Sequence, residues 1–388
     1  MHIALVGTRG VPARYGGFET CVEEVGRRLA DRGHRVTVYC RRTGDEPDIE
    51  SYLSMELVTL PAMRKRSLET LSHTALSVGH LVTHRPVPDV AVVFNAANSP
   101  FLPLLRAARV PVATHVDGLE WQRAKWGGAG RRYYRSAEAW SVRWSDALIA
   151  DAQGISDYYT SEFGAPTRKI AYGAPLIEVG DDRLAELDLK AQGYHLVVAR
   201  FEPENHVDVI VDGYVRSGAS LPLVVVGSAP YADAYTARVQ DLADGRVRLT
   251  GGIWDQEQLD QLYGNAFTYL HGHSVGGTNP SLLRAIGAGA PTTAFDVTFN
   301  REVLGDSGIY FSDAADVATL VEACEADPEG TRARGVAARA RASAYDWDDV
   351  ADAYERLCED LVSGRVRRPR GLGRRRHAAE PAPSPARV

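Results

Sequence analysis

Short apolar runs, each closed by a turn of small or polar residues and followed by a helix-like stretch, constrain this chain most. Runs at 2–6, 35–40, 57–60, 90–94, 110–115 and 148–150 form one series. Runs at 194–199, 223–226, 247–249, 267–270 and 291–294 form a second. Short, continuously apolar strands are those buried on both faces of a parallel sheet. The stretches between them are amphipathic. Over 18–31, Val22, Val25, Leu29 and Ala30 share one face, while Glu23, Glu24, Arg27 and Arg28 turn to water. The stretches 207–217, 232–243 and 256–263 also read as helices. Strand–helix alternation that runs, stops and restarts predicts an α/β chain of two doubly wound domains, and 388 residues suit two domains. Gly173 and Pro175 break the pattern at the seam. The predicted organisation is a Rossmann-like domain over 1–172, a second over 173–345, an amphipathic helix over 346–364 and a disordered Arg/Pro-rich tail over 365–388.

Composition removes several classes. No run of eighteen apolar residues occurs, so no transmembrane helix is expected. The N-terminus lacks the basic lead and long apolar core of a signal peptide, which predicts a cytoplasmic protein. Cys21, Cys40, Cys324 and Cys358 show neither metal-ligand spacing nor a disulfide framework. The tail holds eight Arg against one Glu, so the body is more acidic than the net charge of −6. An acidic body argues against nucleic-acid binding. The tail is instead a candidate for an anionic membrane surface, with an uncommitted disordered tail as the alternative.

Four loops follow predicted strands, where an open α/β sheet places its ligands. The loop 7–19 contains Gly16-Gly17 before the first helix and suits a ligand phosphate. It lacks the G-x-G-x-x-G spacing, and the second strand ends in Cys40-Arg41-Arg42 without an acidic residue, which argues against a nicotinamide dehydrogenase. The loop 114–123 brings His115, Asp117 and Glu120 after a buried strand, a pattern for proton transfer or hydroxyl binding; Asp117-Gly118 equally makes a turn. Basic and aromatic residues from Trp121 to Arg135 interleave there, as on a surface that meets a membrane or a phosphorylated lipid. The loop 199–206 sets Arg200 at a strand end, placed to neutralise a diphosphate or to pair with Glu202 or Glu204. The fourth, 271–285, reads as a phosphate cradle: Gly276-Gly277, then a helix opening at Pro280. An ordinary strand-to-helix turn has the same residues.

Taken together, the loops resemble a known family. The segment from Val6 to Thr20, Asp117-Gly118-Leu119-Glu120-Trp121, Arg200 to Asn205, and Val275 to Leu283 are similar to retaining glycosyltransferases of family four, closest to the capsule and cell-wall rhamnosyltransferase-like group. The resemblance covers about residues 1–362. It implies the GT-B fold, two Rossmann-like domains facing across a cleft with the C-terminal helix packing back on the first. It implies that Gly16, Gly17 and Arg200 meet the donor diphosphate, that Asn205 stands where the family usually has Lys, and that Gly277, Thr278 and Asn279 hold the donor phosphate and sugar. Gly252 and Ile253 would meet the base, with Asp117 and His115 near the transferred sugar. The acceptor would meet Glu120, Trp121 and Arg123. Two cradle glutamates of the family are replaced by Gly276 and Arg284. That departure disfavours a uridine donor and points to dTDP-L-rhamnose, with Arg284 at the ribose end. The implied acceptor is a glycan or polyprenyl-diphosphate-linked saccharide at the inner membrane face. No cofactor is expected, and no metal, since no Asp-x-Asp follows a strand. The competing readings are a sugar-nucleotide epimerase of the same fold and a non-catalytic partner in polysaccharide assembly.

Overall fold

The computed structural model describes residues 1–367 except 14–15, 43–48, 64–67, 117, 124–125 and 229–232. Two parallel sheets organise the chain. The first contains β1 (His2–Val6), β2 (Arg35–Arg41), β3 (Ser51–Tyr52), β4 (Met55–Leu60), β5 (Val90–Phe94), β6 (Val112–His115), β7 (Ala147–Ala150) and β8 (Arg168–Lys169). Their order is β3-β4-β2-β1-β5-β6-β7-β8, and only the two-residue β3 runs antiparallel. The second contains β9 (His195–Val198), β10 (Leu223–Val226), β11 (Val247–Gly251), β12 (Thr268–His271), β13 (Thr292–Phe295) and β14 (Ile309–Phe311), in the order β11-β10-β9-β12-β13-β14. Both are doubly wound, and strand order reverses beside β1 in one and beside β9 in the other. Such switch points open a crevice at the carboxyl ends of the strands.

The apolar runs become the central strands for the expected reason. β1 lies between β2 and β5 with Ile3 level with both Val36 and Val90. β9 lies between β10 and β12 with Leu196 level with Val224 and Tyr269. These residues are fully buried, and at about 25 cal/mol per Å² their apolar burial is the main stabilising term. The first helix, Gly17–Asp31, buries Cys21, Val22, Val25 and Leu29 as its sequence pattern predicts.

The last helix, Trp347–Val362, belongs to the first half by packing although it follows the second in sequence. It lies along the first helix, where Arg28 pairs with Asp348 at 2.5 Å and Arg32 and His34 both reach Glu355. Its apolar face buries Trp347, Val350, Tyr354 and Leu357. The four cysteines are all buried and free. Among the described residues, no helix is long and apolar enough to cross a membrane. The expected tail falls mostly outside the described residues, which end at Arg367.

His115, at the end of β6, is enclosed by this packing. Its ring lies between Phe18, Phe94 and Tyr172 at centroid distances of 5.1, 5.5 and 5.6 Å. Its Nδ1 is 2.9 Å from the Tyr354 hydroxyl, and Nε2 has no hydrogen-bond partner. Burial disfavours the imidazolium and pushes its pKa down to about 3, against an unfolded value of about 6.5. Between those values the unfolded chain binds a proton that the folded chain refuses. Stability contributed here is complete above pH ~6.5 and falls by about 1.4 kcal/mol per pH unit as acid is added. His115→Phe is therefore expected to lose less stability than wild type between pH 7 and pH 5.5, by about 1 kcal/mol in urea titrations. An identical acid slope in both proteins would refute the enclosed, neutral His115.

Candidate functional site

A cleft of about 420 Å³ lies between the two halves, at the carboxyl ends of β1 and β9. A drug-sized ligand occupies a pocket of this order. Two helix starts converge on it. Gly16 and Gly17 open the first helix on one side, and Asn279 and Pro280 open the helix Pro280–Gly287 on the other. They approach so closely that a Cβ on Gly17 would lie 2.9 Å from Pro280 Cγ. Each start presents the positive end of a helix dipole, and the first also presents backbone N–H groups that its own helix does not pair. The Asn279 side chain caps its helix by accepting from Ser281 N at 2.9 Å and Ser281 Oγ at 2.7 Å.

Arg200 follows β9 and lines the same cleft. Asn205 supports it from below. The Asn205 amide donates to the Arg200 carbonyl at 2.8 Å, and its Oδ1 lies 2.7 Å from His273 Nδ1. Asn205 thus shapes the strand end and brings no charge. Past β11, Gly252, Ile253 and Trp254 form the opposite end of the cleft. Trp254 is 72% exposed, an unusual position for an indole unless something covers it. Arg284 also lines the cleft, and its guanidinium is held by Asp260. Of the expected donor residues, Gly16, Gly17, Arg200, Asn205, Gly252, Ile253, Asn279 and Arg284 therefore meet on one cavity.

Others are placed elsewhere. Gly277 and Thr278 are not on the cleft wall, contrary to the expectation that they hold the donor. Thr278 donates to the Asp151 carbonyl at 2.6 Å, and Gly277 packs against the Asp151 carboxylate, after β7 of the first half. Their side of the turn faces the other domain, so they tie the halves together. His115 is fully buried and is not on the cleft wall either, since the aromatic packing described above closes over it. Asp117 lies outside the described residues.

Two of the expected acceptor residues pair with each other. Glu120 is buried and ion-pairs with Arg123 Nε at 2.6 Å. It also accepts from Trp126 Nε1 at 3.3 Å. Arg123 reaches 3.9 Å from Glu204 of the second half, and Trp121 lies under the Arg135 guanidinium. None of the three is on the described cleft wall; Glu120 and Arg123 form a polar seam with Glu204 of the second half. Burial raises the pKa of Glu204 there. Sequence reasoning gave no role to His271, His273, Trp254 or Asp260. The signal for the two histidines was present: polar residues at alternate positions closing an otherwise apolar run.

Comparison with known proteins decides the family. The description "Glycosyl transferase 4-like domain" matches residues 16–173, and "Glycosyl transferases group 1" matches 193–326. Together they span most of the chain. The chain belongs to the group 1 glycosyltransferases. It is 26% identical to the O-antigen chain mannosyltransferase B of Escherichia coli over 190 residues, 45% of this chain and 49% of that one, so the match spans about half the relative's length. Its GT-B fold is shared with sucrose-phosphate synthase from Thermosynechococcus elongatus, at TM-score 0.81 and 21% identity, covering 94% of this chain and 99% of that one. It is shared also with Anabaena HepE, whose structure is a complex with UDP-glucose, at TM-score 0.74 and 16% identity, covering 92% and 100%. Among the described residues, no group of three His, Cys, Asp or Glu is arranged to hold a metal ion.

This glycosyltransferase keeps its two halves in contact at the cleft rim through backbone. A side chain at Gly118 would overlap the Gly276 backbone. Gly118→Ala should wedge the rim open and misplace the loops by about an ångström, for which a loss of about 10²-fold in turnover is typical. Turnover and thermal melting measured side by side check this: activity should fall while the melting temperature holds. Unchanged turnover would show that the rim contact is dispensable.

Proposed function

We propose that this protein transfers a sugar from a nucleoside-diphosphate sugar to a hydroxyl of a glycan or polyprenyl-diphosphate-linked saccharide, in cell-surface polysaccharide synthesis. One observation carries the donor class: two helix starts, from opposite halves, converge with Arg200 on one cleft. A diphosphate is the ligand group that best matches N–H donors and a guanidinium together. The same groups would stabilise the nucleoside diphosphate as it leaves, which is an electrostatic contribution to catalysis.

The donor proposed is dTDP-L-rhamnose. Two features support it. The N-terminal segment from Val6 to Thr20 resembles the rhamnosyltransferase-like group. Arg284, tied to Asp260, stands where the wider family has a carboxylate; a guanidinium offers no acceptor to a ribose 2′ hydroxyl, which favours a 2′-deoxy donor. Asp117 is retained as the carboxylate nearest the reaction on the sequence pattern alone. The Arg-rich tail is proposed to hold the protein to anionic lipid at the inner membrane face, at about 1 kcal/mol per basic residue near the surface.

A thermal-shift panel of dTDP-L-rhamnose, UDP-glucose and GDP-mannose tests the donor; dTDP-L-rhamnose should stabilise most. Conversion of a nucleotide sugar without acceptor would replace this reading with an epimerase, and no stabilisation by any donor would remove it. Arg200→Ala should weaken nucleoside-diphosphate binding by about 10- to 100-fold, the range for losing a charged hydrogen bond. Asp117→Asn should cut turnover by about 10²–10⁴-fold with little change in donor affinity. Equal turnover in that variant would strip Asp117 of its role. Liposomes with anionic lipid should sediment the full chain and leave behind a chain ending at residue 364; equal sedimentation would exclude the tail as an anchor.

A further inference from the structure

β12 ends in His271, and His273 follows two residues later; both residues line the cleft. Hydrogen bonds behind them fix which ring nitrogen carries the proton. Ser281 donates its hydroxyl to Asn279 Oδ1 at 2.7 Å. Tyr269 has one proton to give, to Ser281 Oγ at 3.3 Å or to the Val198 carbonyl at 3.5 Å, and both are acceptors behind the ring. With its proton spent there, the Tyr269 oxygen accepts from His271 Nδ1 at 3.1 Å. The network therefore assigns the His271 proton to Nδ1 and leaves Nε2 as a bare lone pair. Asn205 does the same for His273: its amide nitrogen is committed to Arg200, so its Oδ1 accepts from His273 Nδ1.

His271 Nε2 is buried and has no hydrogen-bond partner, although the residue lines the cleft. Only 3% of the residue is exposed. Burial keeps the ring uncharged, with a pKa down to about 3. An unpaired acceptor in such a place costs free energy unless something donates to it. A diphosphate cannot, because its oxygens are acceptors themselves. Hydroxyls and ring N–H groups can.

We infer that His271 Nε2 accepts a hydrogen bond from an O–H or N–H group of the bound nucleotide-sugar. The inference rests on the donor class proposed above and adds a residue that reads its uncharged part. Arg200 and the helix starts take the diphosphate. His271 takes a hydroxyl or a base N–H, and the chain Asn279–Ser281–Tyr269 keeps its tautomer in the accepting form. The residue that caps the second helix start thus also sets the hydrogen-bonding sense of its neighbour.

The test is calorimetric titration of wild type, H271F and H271Q with dTDP-L-rhamnose, UDP-glucose, dTDP, UDP and inorganic pyrophosphate. H271F should bind the ligands that use this contact about tenfold more weakly, as for a buried donor left unpaired. Pyrophosphate should bind as to wild type. H271Q, whose side-chain oxygen reaches the Nε2 position, should recover most of the loss. Loss confined to the sugar nucleotides assigns the contact to the transferred sugar. Loss shared with UDP but not with dTDP assigns it to the ribose 2′ hydroxyl, and loss shared with both assigns it to the base or the 3′ hydroxyl. Should H271F fail to fold, Tyr269→Phe, which releases the tautomer, should weaken the same ligands. Wild-type binding with an indifferent H271F, or pyrophosphate weakened as much as the nucleotides, overturns this inference alone. A wild-type protein that binds no nucleotide overturns the proposed function, and the inference falls with it.

Discussion

The cleft depends on one contact at its floor, Gly173 against Trp347. The chain passes from the first half to the second near residue 173 and returns near 346. The two crossings pack on each other: Ala174 N donates to the Tyr345 carbonyl at 2.7 Å, and the Trp347 indole occupies the space a side chain at Gly173 would need. Tyr172 and Trp347, on either crossing, are also walls of the cleft. Buried apolar contact continues without a break from Leu5 through Tyr172 and Trp347 to Leu282 and Ile286. The spacing of the sheets at the floor is therefore set by the shape of one indole on bare backbone, and volume changes in such close packing are felt directly.

The rim is built differently. There the halves meet through Thr278 and Asp151, Gly118 and Gly276, and Arg123 between Glu120 and Glu204. These contacts are polar or backbone on backbone, and they bury little apolar area. The floor carries most of the hydrophobic free energy of the interface, and the rim carries its registration. Registration of this kind is what placement of reacting groups requires, since correct placement is worth about 7–11 kcal/mol of barrier.

Much of this organisation is legible in the sequence because it follows from burial. The strands at 2–6, 90–94 and 223–226 coincide with the observed ones, since a continuous apolar run between turns has few other ways to be buried. The two-residue edges β3 and β8 leave no periodic trace, and β14 is only three residues long. Site residues divide on the same principle. Arg200 and the Gly16-Gly17 turn are readable because strand ends and helix starts are fixed by local pattern. The placement of Thr278 and Arg123 is not, because it depends on which of two domains each residue faces, and that is a tertiary fact. His115 shows the limit most clearly: a polar residue at a strand end reads as a functional group, yet Tyr354, from a helix 239 residues away, encloses it.

Charge in the cleft is distributed by burial and pairing more than by residue count. Arg284 is balanced by Asp260. His271 and His273 are held neutral by the protein around them, and Arg123 and Arg200 depress His273 further. Arg200 and the two helix starts share one wall of the cleft, and the strand-end wall with His271 and His273 is polar but uncharged. A nucleoside-diphosphate sugar has the same division, an anionic centre flanked by neutral hydroxylated groups. Protonating either histidine would spread the positive field along the wall and replace an acceptor by a donor. Burial prevents that across the physiological range, so the pattern of donors and acceptors on this wall stays constant.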